Sequence, residues 1–313
     1  MINYGTLLGA IVPIFLVIAA GALARKLGFL PESAEQPFNR LNLLLLYPCL
    51  VFNYTLGNPA LMSGGSLLGA PALGFIITAG AMALALVVAR ALRLPSPARR
   101  TFAFVAGINN YGYIPIPLSA LLFDDATTGT LLVFGVGVEV AIWTLGVLLL
   151  VGQMRAEHLR KLLNPPVLCL AAAIVLNLTG VSRHLPQPLK DTFRMLGGTA
   201  IPFGLLLIGA VLHDLTRKIN WLEQLHAPVA GLLLRLGAFP VAILILTAFV
   251  PESLRRVLVL EAAMPCGIFP IVITKYYQGD TPLALRIVLL TTLAGVFIIP
   301  LWLTFGLWLF DLN

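Results

Sequence analysis

Ten runs of apolar residues constrain this chain more than any other feature. They lie at roughly 5–24, 41–57, 67–89, 101–122, 127–151, 164–181, 192–212, 227–249, 257–277 and 283–309, the second and sixth being the shortest. About 20 apolar residues cross a bilayer as a helix. Within lipid every backbone polar group needs an internal partner, and a helix provides it. The expected fold is therefore an all-α polytopic membrane protein with ten transmembrane helices. Only 11% of the 313 residues are charged, against about 25% in soluble chains, and the mean hydropathy is +0.97. These values exclude a disordered chain, a disulfide scaffold, a coiled coil and an ordinary soluble enzyme. Cys49, Cys169 and Cys266 all fall inside apolar runs without C-x-x-C spacing. They read as small packing residues rather than disulfides or metal ligands.

Charge placement sets the expected orientation. Of the 20 Lys and Arg, fourteen fall in the loops after odd-numbered runs or at their edges, five in the termini and at the other loops or their edges, and Arg235 alone lies well inside a run. Cytoplasmic loops collect Lys and Arg, so the N- and C-termini are expected outside. The same bias accounts for the net charge of +7, so membrane lipid is the expected partner and nucleic acid is not. No basic residue precedes the first run, whereas Arg25 and Lys26 follow it, which reads as a first span rather than a cleaved signal peptide. The four histidines fall in loops or at span edges and are expected to be solvated.

The prolines carry an internal repeat. Pro13 and Pro166 are 153 apart, Pro48 and Pro202 154, and Pro115 and Pro270 155. P-x-x-x-R-R occurs at Pro95 and again at Pro251, 156 residues on. Residues 1–152 and 161–313 thus read as two five-helix repeats joined by a cytoplasmic linker at 153–160. An odd number of spans per copy inverts the second, a construction common in secondary transporters.

Two spans are expected to be broken. The fourth contains Gly107-Ile108-Asn109-Asn110-Tyr111-Gly112-Tyr113-Ile114-Pro115-Ile116-Pro117, and the ninth contains Glu261-Ala262-Ala263-Met264-Pro265-Cys266-Gly267-Ile268-Phe269-Pro270. Each proline removes an N–H and clashes with the preceding turn, and two with a glycine interrupt a helix rather than kink it. Unwound backbone is tolerated in a membrane only within protein or beside a wet cavity, so helices 4 and 9 are expected to cross. The second halves would present N–H groups and partial positive charge to an anion. Candidate substrate contacts are Asn109, Asn110, Tyr111, Ile114, Pro115 and Ile116 on one side. On the other they are Pro265, Cys266, Gly267, Phe269, Pro270 and Ile271.

Apart from Arg194, Lys275 and Arg286 at span edges, three charged residues lie inside spans: Glu139, Arg235 and Glu261. A charge at the centre of a spanning helix costs about 2.5–3.5 kcal/mol, so each needs a partner, a cavity or, for the acids, a proton. Glu139 and Glu261 are candidate H+ carriers. Glu261 with Asn109 or Asn110 is a possible Na+ site, because hard cations take oxygen ligands. Arg235 is a possible charge partner for a glutamate. No other cofactor is expected. No H-E-x-x-H, G-x-S-x-G or Walker A motif is present, so neither catalysis nor direct ATP drive is expected.

The chain resembles the auxin efflux carrier family. The matching stretches are Leu43-Leu44-Leu45-Leu46-Tyr47-Pro48, the Asn-rich break ending in Pro115 and Pro117, Ile201-Pro202-Phe203-Gly204-Leu205-Leu206-Leu207-Ile208-Gly209-Ala210, and Glu261-Ala262-Ala263-Met264-Pro265. The resemblance implies a bacterial inner-membrane protein, with a scaffold from spans 1, 2, 6 and 7 and a transport domain from spans 3–5 and 8–10. It implies elevator-type alternating access, organic-anion substrates, a homodimer, and a fold shared with the bile-acid sodium symporters. Plant members carry an Asn near the ninth-span break, where this chain has Cys266, Gly267 and Ile268. The expected function is a secondary transporter for a small organic anion, coupled to H+ or Na+. A cation/proton antiporter, or a ligand sensor retaining the fold, is the alternative.

Overall fold

The computed structural model describes residues 3–62, 64–153, 157, 160, 162–217 and 225–312. Most of the linker expected at 153–160, together with Arg155, His158, Lys161 and Lys218, lies outside the described residues. Helix dominates, and the described residues contain no strand, only one isolated antiparallel bridge.

The first helix, α1 (Tyr4–Lys26), begins where the Asn3 side chain accepts from the Thr6 N–H and ends with Arg25 and Lys26. Its hydropathy is high all round, yet one stripe is buried: Leu7, Ile11, Ile14, Ile18, Gly21 and Arg25. That spacing is one helical face. After α2 (Glu32–Leu41), a five-residue π turn at Asn42–Leu46 leads into α3 (Tyr47–Thr55). Pro48 supplies the reason, because a proline cannot donate and displaces the carbonyl four residues back, which a wider turn absorbs. Next come α4 (Gly64–Ala91), α5 (Ser96–Gly107), α6 (Pro115–Leu122) and α7 (Asp125–Ala141). A π turn at Ile142–Gly146 joins α7 to α8 (Val147–Val151).

The second half opens with α9 (Pro165–Leu178) and α10 (Gln187–Thr216). In α11 (His226–Leu233) the helix again passes through a π turn, Leu234–Ala238, before α12 (Phe239–Thr247), with Pro240 just beyond it. The chain finishes with α13 (Glu252–Ala263), α14 (Phe269–Tyr276) and α15 (Thr281–Leu309). Among the described residues, six stretches are helices long and apolar enough to cross a membrane: 4–26, 67–91, 125–151, 187–216, 226–247 and 281–309. The other four apolar runs are built from shorter pieces: α3 with its π turn, α9, the pair α5 and α6, and the pair α13 and α14.

Helix α1 lies along α10, and α3 packs on both α9 and α10. Small residues set the α1–α10 distance. A Cβ added to Gly21 would overlap the backbone of Leu206, and one added to Gly209 would overlap that of Ile18, the kind of close approach that drives helix association in lipid. A second group forms around α4 with α5 and α7, and α15 with α11, α13 and α5. The groups touch mainly where α1 meets α15 and α3 meets α7. His213 departs from expectation: it is in the last turn of α10, partly buried, with Nδ1 3.2 Å from Asp214 Oδ1.

Candidate functional site

Two helices end in mid-core and resume after a gap. Helix α5 stops at Gly107, and Ile108 is extended (φ −107°, ψ 115°); α13 stops at Ala263, and Met264 is extended (φ −74°, ψ 139°). The freed backbone groups then satisfy one another. Asn110 N–H donates to Pro265 O at 2.8 Å, and Gly267 N–H donates to Ile108 O at 3.0 Å. Asn109 and Cys266 form the antiparallel bridge between them. Thr291 Oγ1 on α15 accepts from the Cys266 N–H at 3.3 Å. Gly267 is required by proximity, since an added Cβ would lie 2.9 Å from Asn109 O.

The two asparagines do different work. Asn109 is 2% exposed, and its Nδ2 donates to Glu261 Oε2, itself fully buried on α13. Glu261 Oε1 is buried with no hydrogen-bond partner among the described residues. Asn110 turns back on its own loop, where Oδ1 accepts from the Gly112 and Ile114 N–H groups, each at 3.4 Å. It thus serves the interrupted backbone locally. Arg235, 1% exposed on the π turn before α12, makes no hydrogen bond to a glutamate side chain among the described residues. Its Nε donates to Met264 O at 2.9 Å and its Nη2 to Glu261 O at 3.4 Å.

Glu139 belongs to a separate centre. Tyr111 Oη donates to its Oε1 at 2.6 Å, Trp143 Nε1 to its Oε2 at 2.8 Å, and Asn164 Nδ2 reaches Oε2 at 3.5 Å. The carboxyl lines a cavity of about 40 Å³ with Tyr47, Tyr111, Gly135 and Pro166, which is room for water. The cavity lies between α3 and α9 on one side and α7 on the other. The sequence reading did not anticipate Tyr47, Trp143 or Asn164 as members. Trp143 was the findable one, four residues from Glu139 and so on the same helix face. A larger groove of about 630 Å³, between α12 and the end of α15, is lined by aliphatic and aromatic residues such as Ile245, Phe249 and Phe305 and offers no group for polar chemistry.

The remaining expected contacts separate by accessibility. Ile114, Pro115, Ile116, Pro265, Cys266, Gly267, Pro270 and Ile271 are buried in protein. Tyr111 is partly exposed, and Phe269 is 40% exposed with its ring 6.0 Å from that of Trp143. The exposed members of the set thus lie on the Glu139 side of the crossing, where Tyr111 bonds Glu139 and Phe269 touches Trp143. The second halves start at Pro115 and Phe269, and their first-turn donors are fewer than expected. The prolines have no N–H, Ile116 N–H donates to Gly112 O at 3.0 Å, and Ile271 N–H donates to Ile268 O at 3.0 Å. What these ends offer an anion is chiefly the aligned peptide dipoles.

A helical, largely apolar chain with two interrupted helices meeting in its core defines an integral membrane protein built for transport. The family model described as membrane transport protein matches residues 6–303. The chain belongs to that family, the auxin efflux carriers. It is also similar to an uncharacterized transporter of Methanothermobacter thermautotrophicus, 24% identical over 300 residues that cover 93% of this chain and 96% of the relative.

Proposed function

We propose that this protein is a secondary transporter that moves a small organic anion, a carboxylate, across the inner membrane by elevator-type alternating access. The observation that carries the reading is the joined pair of helix breaks, Ile108–Ile114 and Met264–Ile268, after which α6 and α14 begin within the protein core. Interrupted helices meeting within a membrane are how transporters present backbone dipoles to a solute. Ten crossings in two inverted copies, 1–152 and 161–313, fit this arrangement. Helix α5 begins at Ser96 and α13 at Glu252, 156 residues later, and α7 and α15 begin at Asp125 and Thr281, again 156 apart.

The division into two moving parts follows the two helix groups. Spans 1, 2, 6 and 7 (α1, α3, α9 and α10) form the scaffold, and the remaining spans form the part that carries the site. The Glu139 cavity lies on the seam between them, which favours Glu139 as the proton carrier. Tyr111 and Trp143 travel with Glu139, whereas Asn164 belongs to the scaffold, so a carboxyl that loses its scaffold partner and cavity wall as the parts slide can load and release H+. Both termini are outside in this reading, and the protein works as a homodimer.

The test is uptake into proteoliposomes over a panel of mono- and dicarboxylates, with imposed H+ or Na+ gradients. Saturable uptake of at least one acid, accelerated by a pH gradient, is the expected result. If none of these anions is bound or moved under any gradient, the reading is wrong.

A further inference from the structure

The carboxyl end of α13 is a place that favours a positive charge. The last carbonyls of a helix carry about half a negative charge between them. Here they end in the protein core rather than in water. Glu261, on the same turn, adds a carboxyl that is fully buried with one oxygen unpartnered among the described residues. Left alone, this would be an oxygen-lined hollow of the type hard cations occupy.

Arg235 reaches into it from another helix. Its guanidinium bonds the two carbonyls that a bare ion would need, Glu261 O and Met264 O. Its outer face is covered by the Phe239 ring, 5.2 Å from the guanidinium carbon, a contact that favours a cation. The side chain is 1% exposed, and an unpaired arginine at such a position would be heavily penalised. The hollow offsets that penalty with two carbonyl acceptors, a nearby carboxyl and an aromatic face. Glu261 and Asn109 therefore do not fit a Na+ site as they stand, because the backbone oxygens beside them are already engaged.

We propose that Arg235 is the protein's own cation at this helix end: its guanidinium takes the place a dissolved alkali ion would fill beside Glu261, so the helix crossing closes without Na+. A tethered charge cannot dissociate, so its occupancy does not follow any ion gradient. Sodium then has no coupling role at this position, whatever solute the protein carries. The inference concerns the helix crossing alone and is measurable without any transport.

The experiment compares melting of the purified wild type, Arg235→Ala, Arg235→Met and Arg235→Lys in detergent micelles. Choline chloride is the background, and NaCl, KCl, guanidinium chloride or methylguanidinium chloride is added at millimolar concentration. Wild type should melt at the same temperature in Na+ and choline. Arg235→Ala should melt lower and regain most of the loss, saturably, with guanidinium or methylguanidinium, because it leaves a hole of that shape and charge. Arg235→Met fills the hole without charge and should not respond, whereas Arg235→Lys should lie between wild type and Arg235→Ala. A saturable rise in wild-type melting with Na+ over choline overturns the proposal. So does an identical guanidinium response of the Ala and Met variants. Should Arg235→Ala not fold even with guanidinium present, the hole is not refillable and the proposal also fails. Any of these outcomes leaves the anion-uptake test untouched, so the two readings stand or fall separately.

Discussion

Replacing Asn109 by alanine tests the contact that joins the two broken helices through their side chains. Asn109 and Glu261 are 2% and 0% exposed, so water cannot replace either partner. With Glu261 ionised, a hydrogen bond to its charged carboxylate contributes about 1.5–3 kcal/mol, and stranding the partner adds its desolvation penalty. Glu261 Oε1 already lacks a partner, so Asn109→Ala leaves both carboxyl oxygens bare. The expected loss is about 3 kcal/mol. In a Glu261→Gln background the stranded group is neutral, and the same truncation should cost about 1 kcal/mol. The double-mutant cycle thus predicts a coupling of about 2 kcal/mol, well above the ~0.3–0.5 kcal/mol scatter of independent sites. Equilibrium unfolding in mixed detergent micelles, on wild type, both single variants and the double variant, measures it. Additive losses within that scatter would falsify the claim that this contact ties the breaks together.

Other perturbations probe the remaining parts. Gly267→Ala puts a Cβ 2.9 Å from Asn109 O and 3.3 Å from Pro270 Cδ; it should destabilise by about 1–3 kcal/mol, the usual cost of overpacking, and a wild-type unfolding midpoint would show that the backbones can separate freely. Glu139→Gln should abolish acceleration of uptake by a pH gradient while leaving gradient-free exchange measurable, and Tyr111→Phe, which removes the 2.6 Å donor to Glu139, should shift the pH profile of uptake without abolishing it; an unchanged profile in both would place proton coupling elsewhere. Asp124 caps α7, its Oδ1 accepting from Thr127 N–H at 2.8 Å and Thr127 Oγ1 at 2.6 Å. Those bonds, the Thr127 hydroxyl first, hold its pKa below the usual 3.8. A lowered folded pKa means the stabilisation is present above about pH 4 and is lost as pH falls through the folded value. Asp124→Ala should therefore cost about 0.5–2 kcal/mol at neutral pH, with the gap to wild type closing on acidification, as melting curves against pH will show.

Much of the site was legible as a pattern and little of it as geometry. Paired prolines and glycines marked both interruptions because proline acts locally, through its missing N–H and its ring. Asn109 and Glu261 were expected to meet, and they do, although Asn110 was an equal candidate. Only the course of the chain between Ile108 and Ile114 turned one amide toward α13 and the other back on its own loop. Arg235 was expected as a charge partner for a glutamate; it lies near Glu261, but its hydrogen bonds go to the backbone carbonyls of Glu261 and Met264. Carbonyls leave no mark in a sequence, since every residue has one. The π turns were missed for a related reason: Pro48 and Pro240 announce a disturbance, but whether a helix kinks, breaks or widens depends on what packs against it.

By itself the amino-acid order determined the solvent. Near-continuous apolar runs have nowhere to go but lipid, and backbone hydrogen bonding then leaves helix as the available form. It also determined where those helices must fail, at Pro115 and near Pro270. Tertiary structure alone decided what the failures are for. Hydrophobicity cannot select partners where every face is equally apolar, so small-residue contacts such as Gly21 on Leu206 and Gly267 on Asn109 set which helices approach. Once the two breaks lay side by side, the low-dielectric core made each stranded amide, carboxyl and guanidinium choose the partner within reach.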